Sequence, residues 1–234
     1  MADTREPERI GIFGGTFDPI HVGHLRSAEE IREQFELSSV LFVPSARPPH
    51  KETAHVIDPA HRLRMTELAL AKNEAFEVCP LELERPGPSY SIDTIKMLQD
   101  DRGEDALLYF ILGADAFMEI HTWKDVPGLL GAAHFVVTSR PGYPVRELQR
   151  VLEKTVTSGW PELTFETGFD EVKAVETLRA EGSDKTIFLV PITLLDISAT
   201  DIRQRVKSGR SIRYLVPDVV ELYIRRLSLY RQEG

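Results

Sequence analysis

Leu107-Leu108-Tyr109-Phe110-Ile111-Leu112 is an unbroken apolar run. It is far shorter than the ~18 residues of a membrane span, and it reads as a strand apolar on both faces. Such a strand must be covered on each side, the condition of a parallel sheet flanked by helices. Matching pieces stand on either side of it in sequence. Arg9-Ile10-Gly11-Ile12-Phe13 is a short buried-strand run ended by Gly14-Gly15, and Val40–Val43 is another, stopped by Pro44. His134–Thr138 and Thr186–Val190 complete the set, and Phe76–Leu83 reads as extended. Between them Leu25, Ala28, Ile31 and Phe35 recur at helical spacing. His61–Ala71 reads as a helix with Asp58 as cap and Pro59 as opener, and Ile92–Leu98 as another.

Strands alternating with helices predict an α/β fold: a doubly wound, mostly parallel, Rossmann-like sheet. From Asp196 onward the pattern is helical only, Thr200–Lys207 and then Pro217–Leu227, which reads as a small C-terminal helical cap. The expected organisation is one domain over residues 1–234, with an α/β core at 1–195 and a cap subregion at 196–234. The expected loops are Pro44–Pro59 and Arg85–Ser89. Tyr143–Asp184 carries no chemical motif; one helix, Val145–Thr155, and variable surface are expected there.

Composition narrows the function classes. Hydrophobic residues make up 42% and charged residues 28% of the 234, an ordinary globular balance. The net charge, 28 − 37 = −9, argues against broad capture of nucleic acid or anionic membrane, but not against a local pocket for a small anion. One cysteine, Cys79, permits no intrachain disulfide and fits a reducing compartment. The opening MADTREPERI lacks the apolar core of a signal peptide. A soluble cytoplasmic protein is expected, with no nucleic-acid or membrane partner; a homo-oligomer is left open.

The chemistry concentrates after the first strand, in Gly14-Gly15-Thr16-Phe17-Asp18-Pro19-Ile20-His21-Val22-Gly23-His24-Leu25. Paired glycines let the backbone turn tightly and leave room for a ligand against the main chain. A helix starting near His21–Gly23 would aim its free N–H groups and positive end at the carboxyl edge of the sheet. His21 and His24 share one face of its first turn, and Gly23 removes a side chain where a phosphate could approach. With the Thr16 hydroxyl these groups make a polyphosphate cradle. It is neither a Walker loop nor a G-x-G-x-x-G fingerprint, and neither occurs in the chain. The plainer alternative is a Gly-Gly turn, Asp18 as a helix cap and surface histidines. A zinc site would lack the Glu of H-E-x-x-H and any Cys partner.

This segment resembles the signature of the H-x-G-H nucleotidyltransferases, and within them the bacterial nicotinate-nucleotide adenylyltransferases. The resemblance extends along nearly the whole chain. Arg47-Pro48-Pro49-His50-Lys51 is similar to the family's P-P-H-K loop, whose cations, Lys51 here, face substrate phosphates. Ser89-Tyr90-Ser91-Ile92-Asp93-Thr94 is similar to the segment that binds the nicotinate carboxylate through a hydroxyl matching Ser91, with Thr94 beside it. Gly113-Ala114-Asp115 with Trp123-Lys124 resembles the pattern in which the Asp meets a ribose diol and the indole stacks on the pyridine ring. Arg140-Pro141-Gly142 is similar to a turn near the nucleotide. Ile197-Ser198-Ala199-Thr200-Asp201-Ile202-Arg203 resembles I-S-x-T-x-x-R, which implies Ser198, Thr200 and Arg203 on the ATP phosphates. The same stretch fits a capping box from Ser198 to Asp201. Tyr214-Leu215-Val216-Pro217 with Val219 and Tyr223-Ile224 matches the family's closing segment and reads as structural.

The resemblance implies adenylyl transfer from ATP to nicotinate mononucleotide. His21, His24 and Arg203 would be the catalytic groups; Gly14, Gly15, Thr16, Phe17, Lys51, Ser198 and Thr200 would hold ATP and its phosphates. Ser91, Thr94, Asp115, Trp123, Lys124 and Arg140 would hold the nicotinate and ribose. Mg²⁺ would arrive with ATP, with no fixed protein metal site. Rival substrates are nicotinamide mononucleotide, phosphopantetheine, and glycerol or choline phosphate. A non-catalytic nucleotide-binding module would be expected to show a damaged cradle. A tRNA-linked synthetase fragment would need more chain and a basic face.

Overall fold

Residues 7–46, 56–103, 105–139, 145–157, 159–161 and 163–231 are described by the structure, a computed structural model. The apolar run at 107–112 is the core of β4 (Leu107–Gly113), which lies beside β1 (Arg9–Gly15) in parallel, Phe13 opposite Ile111. On the other side of β1 lie β2 (Ser39–Pro44) and β3 (Phe76–Val78). Beyond β4 come β5 (His134–Ser139) and β8 (Ile187–Pro191), both parallel to it. With β6 (Phe165–Asp170) and β7 (Val175–Ala180) the sheet order is β3-β2-β1-β4-β5-β8-β7-β6, and β7 runs antiparallel to both β8 and β6. The chain winds outward from β1 through β2 to β3, then returns to the other side of β1 as β4. That reversal opens a crevice at the carboxyl ends of β1 and β4, where ligands bind in open α/β sheets.

Side chains alternate between the two faces along each strand. Ile10, Ile12, Leu108, Phe110 and Leu112 point to one core, covered by α4 (Ser91–Arg102), α6 (Val126–Ala132) and α7 (Val145–Thr155). Phe13, Tyr109 and Ile111 point to the other, covered by α1 (Val22–Phe35), α2 (Pro59–Leu70), α8 (Ala199–Lys207) and α9 (Asp218–Arg226). Ile202, Val220 and Ile224 of the C-terminal helices are buried in that second core with Ala28 and Phe35 of α1. Asp58 caps α2 by accepting from the Ala60 N–H at 2.8 Å, with Pro59 as its first residue.

Three expectations change. The extended stretch 76–83 ends at Val78, and Leu81–Glu84 forms the short helix α3 behind Pro80. Residues 114–132, which carried no helical expectation, hold α5 (Ala114–Met118), a 3₁₀ turn at Ile120–Thr122 and α6. Residues 165–180, expected as variable surface, form the hairpin β6 (Phe165–Asp170) and β7 (Val175–Ala180), which extends the sheet. The helix at Val145–Thr155 has the expected bounds.

Candidate active site

The crevice holds two lobes that share Gly14, Gly15, Thr16, Leu112 and Ala116. The larger, about 820 Å³, is lined by Phe17, His21, Gly23, His24, Thr200 and Arg203 among others. The smaller, about 230 Å³, is lined by Glu82, Tyr90, Ser91, Trp123, Lys124 and neighbours.

In the larger lobe β1 ends and the chain turns through Thr16 and Phe17. The residue in the left-handed region is Phe17, φ 48°, rather than either glycine. Its ring is 2% exposed and packs edge-on to His24, with centroids 5.2 Å apart. Phe17 therefore contributes backbone to the cleft while its side chain forms the floor under His24. Gly15 is required by that ring, because a Cβ there would lie 2.7 Å from it.

His21 is the N-cap of α1, whose first turn holds no acidic residue. The Val22 amide donates to the Leu215 carbonyl and the His24 amide to the His21 carbonyl, while the Gly23 N–H has no backbone partner among the described residues. The space expected beside Gly23 for a phosphate is filled by His21, whose Nδ1 would lie 3.1 Å from a Cβ. The two imidazoles stack at 3.6 Å, and the His21 backbone N–H donates to His24 Nδ1 at 3.2 Å. That bond makes Nδ1 an acceptor, so neutral His24 carries its proton on Nε2. Burial lowers the pKa of His21 to about 4, so at neutral pH it is an uncharged hydrogen-bonding ring and not a cation.

Positive charge in this lobe comes from Arg203. Its Nη1 donates to the Asp18 carbonyl at 2.6 Å, and its Nη2 to the Thr200 hydroxyl at 3.2 Å. Ser198 behaves as the N-cap of α8, its Oγ accepting from the Asp201 N–H at 3.1 Å. The capping box is only half made, since the Asp201 carboxylate pairs with Arg205 at 2.6 Å. Ser198 is exposed and absent from the cleft lining, unlike Ala199 and Thr200. Asp18 caps no helix; its carboxylate is 2% exposed and lies 3.7 Å from Arg203.

In the smaller lobe Ser91 opens α4. The amides of Ser91 and Ile92 make no backbone hydrogen bond among the described residues, so a positive helix end faces this space. Trp123 lines it and also packs edge-on to Phe110 at 6.2 Å, so it has both a packing and a cleft-facing role. Lys124 sits over the Tyr90 ring at 4.8 Å and donates to both oxygens of Asp93 at 3.0 Å. Thr94 is not brought to the lining; it is 1% exposed and donates to Glu82 Oε1 at 2.7 Å. Asp115 is exposed on α5 and lines neither lobe. Lys51 and Arg140 lie outside the described residues.

Sequence reasoning missed Glu82, Arg62 and Tyr230. Glu82 lines the smaller lobe, and burial pushes its carboxyl pKa up. Arg62 is fully buried and donates to the Thr16 carbonyl at 2.6 Å. Its signal was present: it shares the buried stripe of α2 with Met65 and Thr66, where a charge is out of place.

A family profile described as cytidylyltransferase-like matches residues 12–205. A probable nicotinate-nucleotide adenylyltransferase of Moorella thermoacetica is 44% identical over 225 residues, covering 96% of this chain and 93% of the relative. One of the same description from Desulfitobacterium hafniense strain Y51 is 42% identical, covering 96% and 97%. Plasmodium falciparum nicotinic acid mononucleotide adenylyltransferase, solved in complex with NaAD, shares the fold. Its TM-score is 0.68 at 19% identity, over 95% of this chain and 97% of that one.

Proposed function

The chain belongs to the cytidylyltransferase-like family, among its nicotinate-nucleotide adenylyltransferases, and from that premise we propose how the cleft performs the reaction. ATP and nicotinate mononucleotide give nicotinate adenine dinucleotide and pyrophosphate, a step of NAD biosynthesis. An oxygen of the mononucleotide phosphate attacks the α-phosphorus of ATP. The bond from that phosphorus to the bridging oxygen breaks, and pyrophosphate leaves with the electron pair. The attacking phosphate is already ionised at neutral pH, so neither a covalent intermediate nor a strong base is required. Catalysis is positioning plus stabilisation of growing negative charge.

The larger lobe takes the triphosphate. His24 donates from Nε2 to an oxygen of the α-phosphate, with neutral His21 stacked beside it. The Gly23 amide, Thr16, Thr200 and Arg203 hold the remaining phosphate oxygens, and Ser198 serves by fixing the start of α8. The smaller lobe takes the nicotinate ring, with Trp123 against its face and Ser91 and the α4 amides toward its carboxylate. Asp115, exposed on α5 outside both lobes, has no role here. Lys51 and Arg140, outside the described residues, keep only the roles the resemblance implies, at the phosphates and near the nucleotide. Mg²⁺ enters as MgATP.

The observation that carries this reading is the continuity of the lobes through Gly14-Gly15-Thr16, which seats both reactants on one loop. No described helix is long and apolar enough to cross a membrane. The cytoplasm is the proposed compartment, consistent with the free thiol of Cys79. The test is pyrophosphate release with nicotinate and with nicotinamide mononucleotide, each with ATP and Mg²⁺. The acid is expected to have the higher kcat/KM; an equal or reversed preference overturns the substrate assignment.

A further inference from the structure

Behind the phosphate-facing loop lies a set of buried side chains that the reaction as described does not use. Arg62, fully buried, donates from Nη1 to the Thr16 carbonyl at 2.6 Å and from Nε to the Ile57 carbonyl at 3.4 Å. Arg203 grips the next carbonyl but one, that of Asp18, at 2.6 Å. The Asp18 carboxylate accepts from the Tyr230 hydroxyl at 2.6 Å, and its other oxygen faces Arg203. Tyr230 comes from beyond α9, so the far end of the described chain is bonded to the loop after β1.

The charge count in this set is uneven. Two guanidinium groups stand against one carboxylate, and the phenol is neutral, since burial and Asp18 push its pKa up. Burial disfavours the Arg62 charge, while Asp18 and, from the exposed cap of α2, Asp58 attract it. A buried arginine nevertheless stays protonated. Its Nη2 has no hydrogen-bond partner among the described residues. Burying an incompletely satisfied charge is costly, and apolar residues of similar volume often serve packing as well or better. Holding a peptide carbonyl and placing unbalanced positive charge behind an anion-binding loop are tasks an apolar residue cannot do. Because Arg62 itself is fully buried, its charge is screened less than one in water.

We propose that Arg62 is a positioning residue for adenylyl transfer: it fixes the Thr16 carbonyl and sets positive potential behind the triphosphate, while Tyr230 holds Asp18 so that Arg203 keeps its aim. The proposal rests on the adenylyl-transfer reading above. Arg62 touches no substrate; it acts through the loop.

The test compares the parent enzyme with Arg62→Met, Arg62→Lys and Tyr230→Phe. Melting temperature, kcat and both KM values are measured, with rates expressed per folded enzyme. Arg62→Met is expected to lower kcat by about 10–100-fold with a smaller change in the KM for nicotinate mononucleotide, because loop misplacement harms the transition state. Trp123, Ser91 and Tyr90 of the ring lobe do not depend on Arg62, although Thr16 borders both lobes. Arg62→Lys keeps the charge and is expected to recover part of that loss. Tyr230→Phe is expected to lower kcat/KM for ATP by about 3–10-fold, the worth of one hydrogen bond. Folded Arg62→Met turning over within two-fold of the parent, whatever its melting temperature, overturns the proposal. Arg62→Lys as slow as Arg62→Met counts against a role for charge. If Arg62→Met does not fold, Tyr230→Phe decides, and parent-like kcat/KM for ATP overturns the proposal. A parent enzyme without turnover of nicotinate mononucleotide sinks the underlying reading instead.

Discussion

The imidazole of His21 lies face to face on that of His24, 3.6 Å between centroids, and the His21 backbone N–H ends on His24 Nδ1. The sequence suggested two equivalent histidines on one helical face. The structure makes them unequal: one is a buried N-cap kept neutral, the other has its proton fixed on the nitrogen away from the helix. His24→Ala is expected to lower kcat by about 10²–10³, the usual effect of deleting a transition-state donor. The helix should survive with a modest loss of stability. The substitution removes the stack on His21 and the acceptor of its N–H but leaves the apolar face of α1, Ala28, Ile31 and Phe35, in the core. Pyrophosphate release together with a circular-dichroism melt checks both halves.

Gly15→Ala places a methyl 2.7 Å from the Phe17 ring, which is itself buried with Phe13 and Phe42 around it. Overpacking of this kind costs about 1–3 kcal/mol. Because Gly15 borders both lobes, the KM values for both substrates should rise together. Urea unfolding and two-substrate kinetics give the answer.

Trp123 stands only in the smaller lobe. Trp123→Ala should therefore raise the KM for the mononucleotide and leave that for ATP near its parent value. Aromatic stacking on a flat base is worth about 1–3 kcal/mol, or roughly 5–150-fold in affinity. A change confined to the ATP term would contradict the division of the cleft.

His134 gives a pH prediction of definite sign. Burial, with a lesser push from Lys185, lowers its pKa to about 4, while its Nδ1 accepts from the Thr186 N–H at 3.1 Å. The unfolded chain, with an ordinary imidazole, binds a proton below about pH 6.5 and the folded one does not until about pH 4. Stability therefore falls as pH drops through that window, by about 2 kcal/mol at pH 5 from this group. His21 adds a fall in the same direction. His134→Gln, compared with the parent by urea unfolding at pH 7 and pH 5, should lose less stability on acidification.

Much of the fold was legible because the parallel strands are buried on both faces and read as apolar runs, as in Val40–Val43 and Leu107–Leu112. The hairpin was not, since β6 buries only Phe165 at its start and exposes the four residues that follow, so no alternation marks it. Helices α5 and α6, of five and seven residues, are too short for a period to show. Motif spacing found Thr16, His21, His24, Thr200 and Arg203, which line the larger lobe. It could not find Tyr230, which reaches Asp18 across 212 positions, nor show that Thr94 turns inward to Glu82. Such pairings exist only after the sheet and both helical layers have assembled.

The hairpin at the sheet margin has a practical consequence. Its turn exposes 92% of Val172, none of its residues borders either lobe, and Glu166 and Asp170 give its outer strand an acidic character. Acidic margins discourage strand-to-strand association. This turn is where a dye, an affinity handle or a surface linker can be grafted while the chemistry goes on undisturbed.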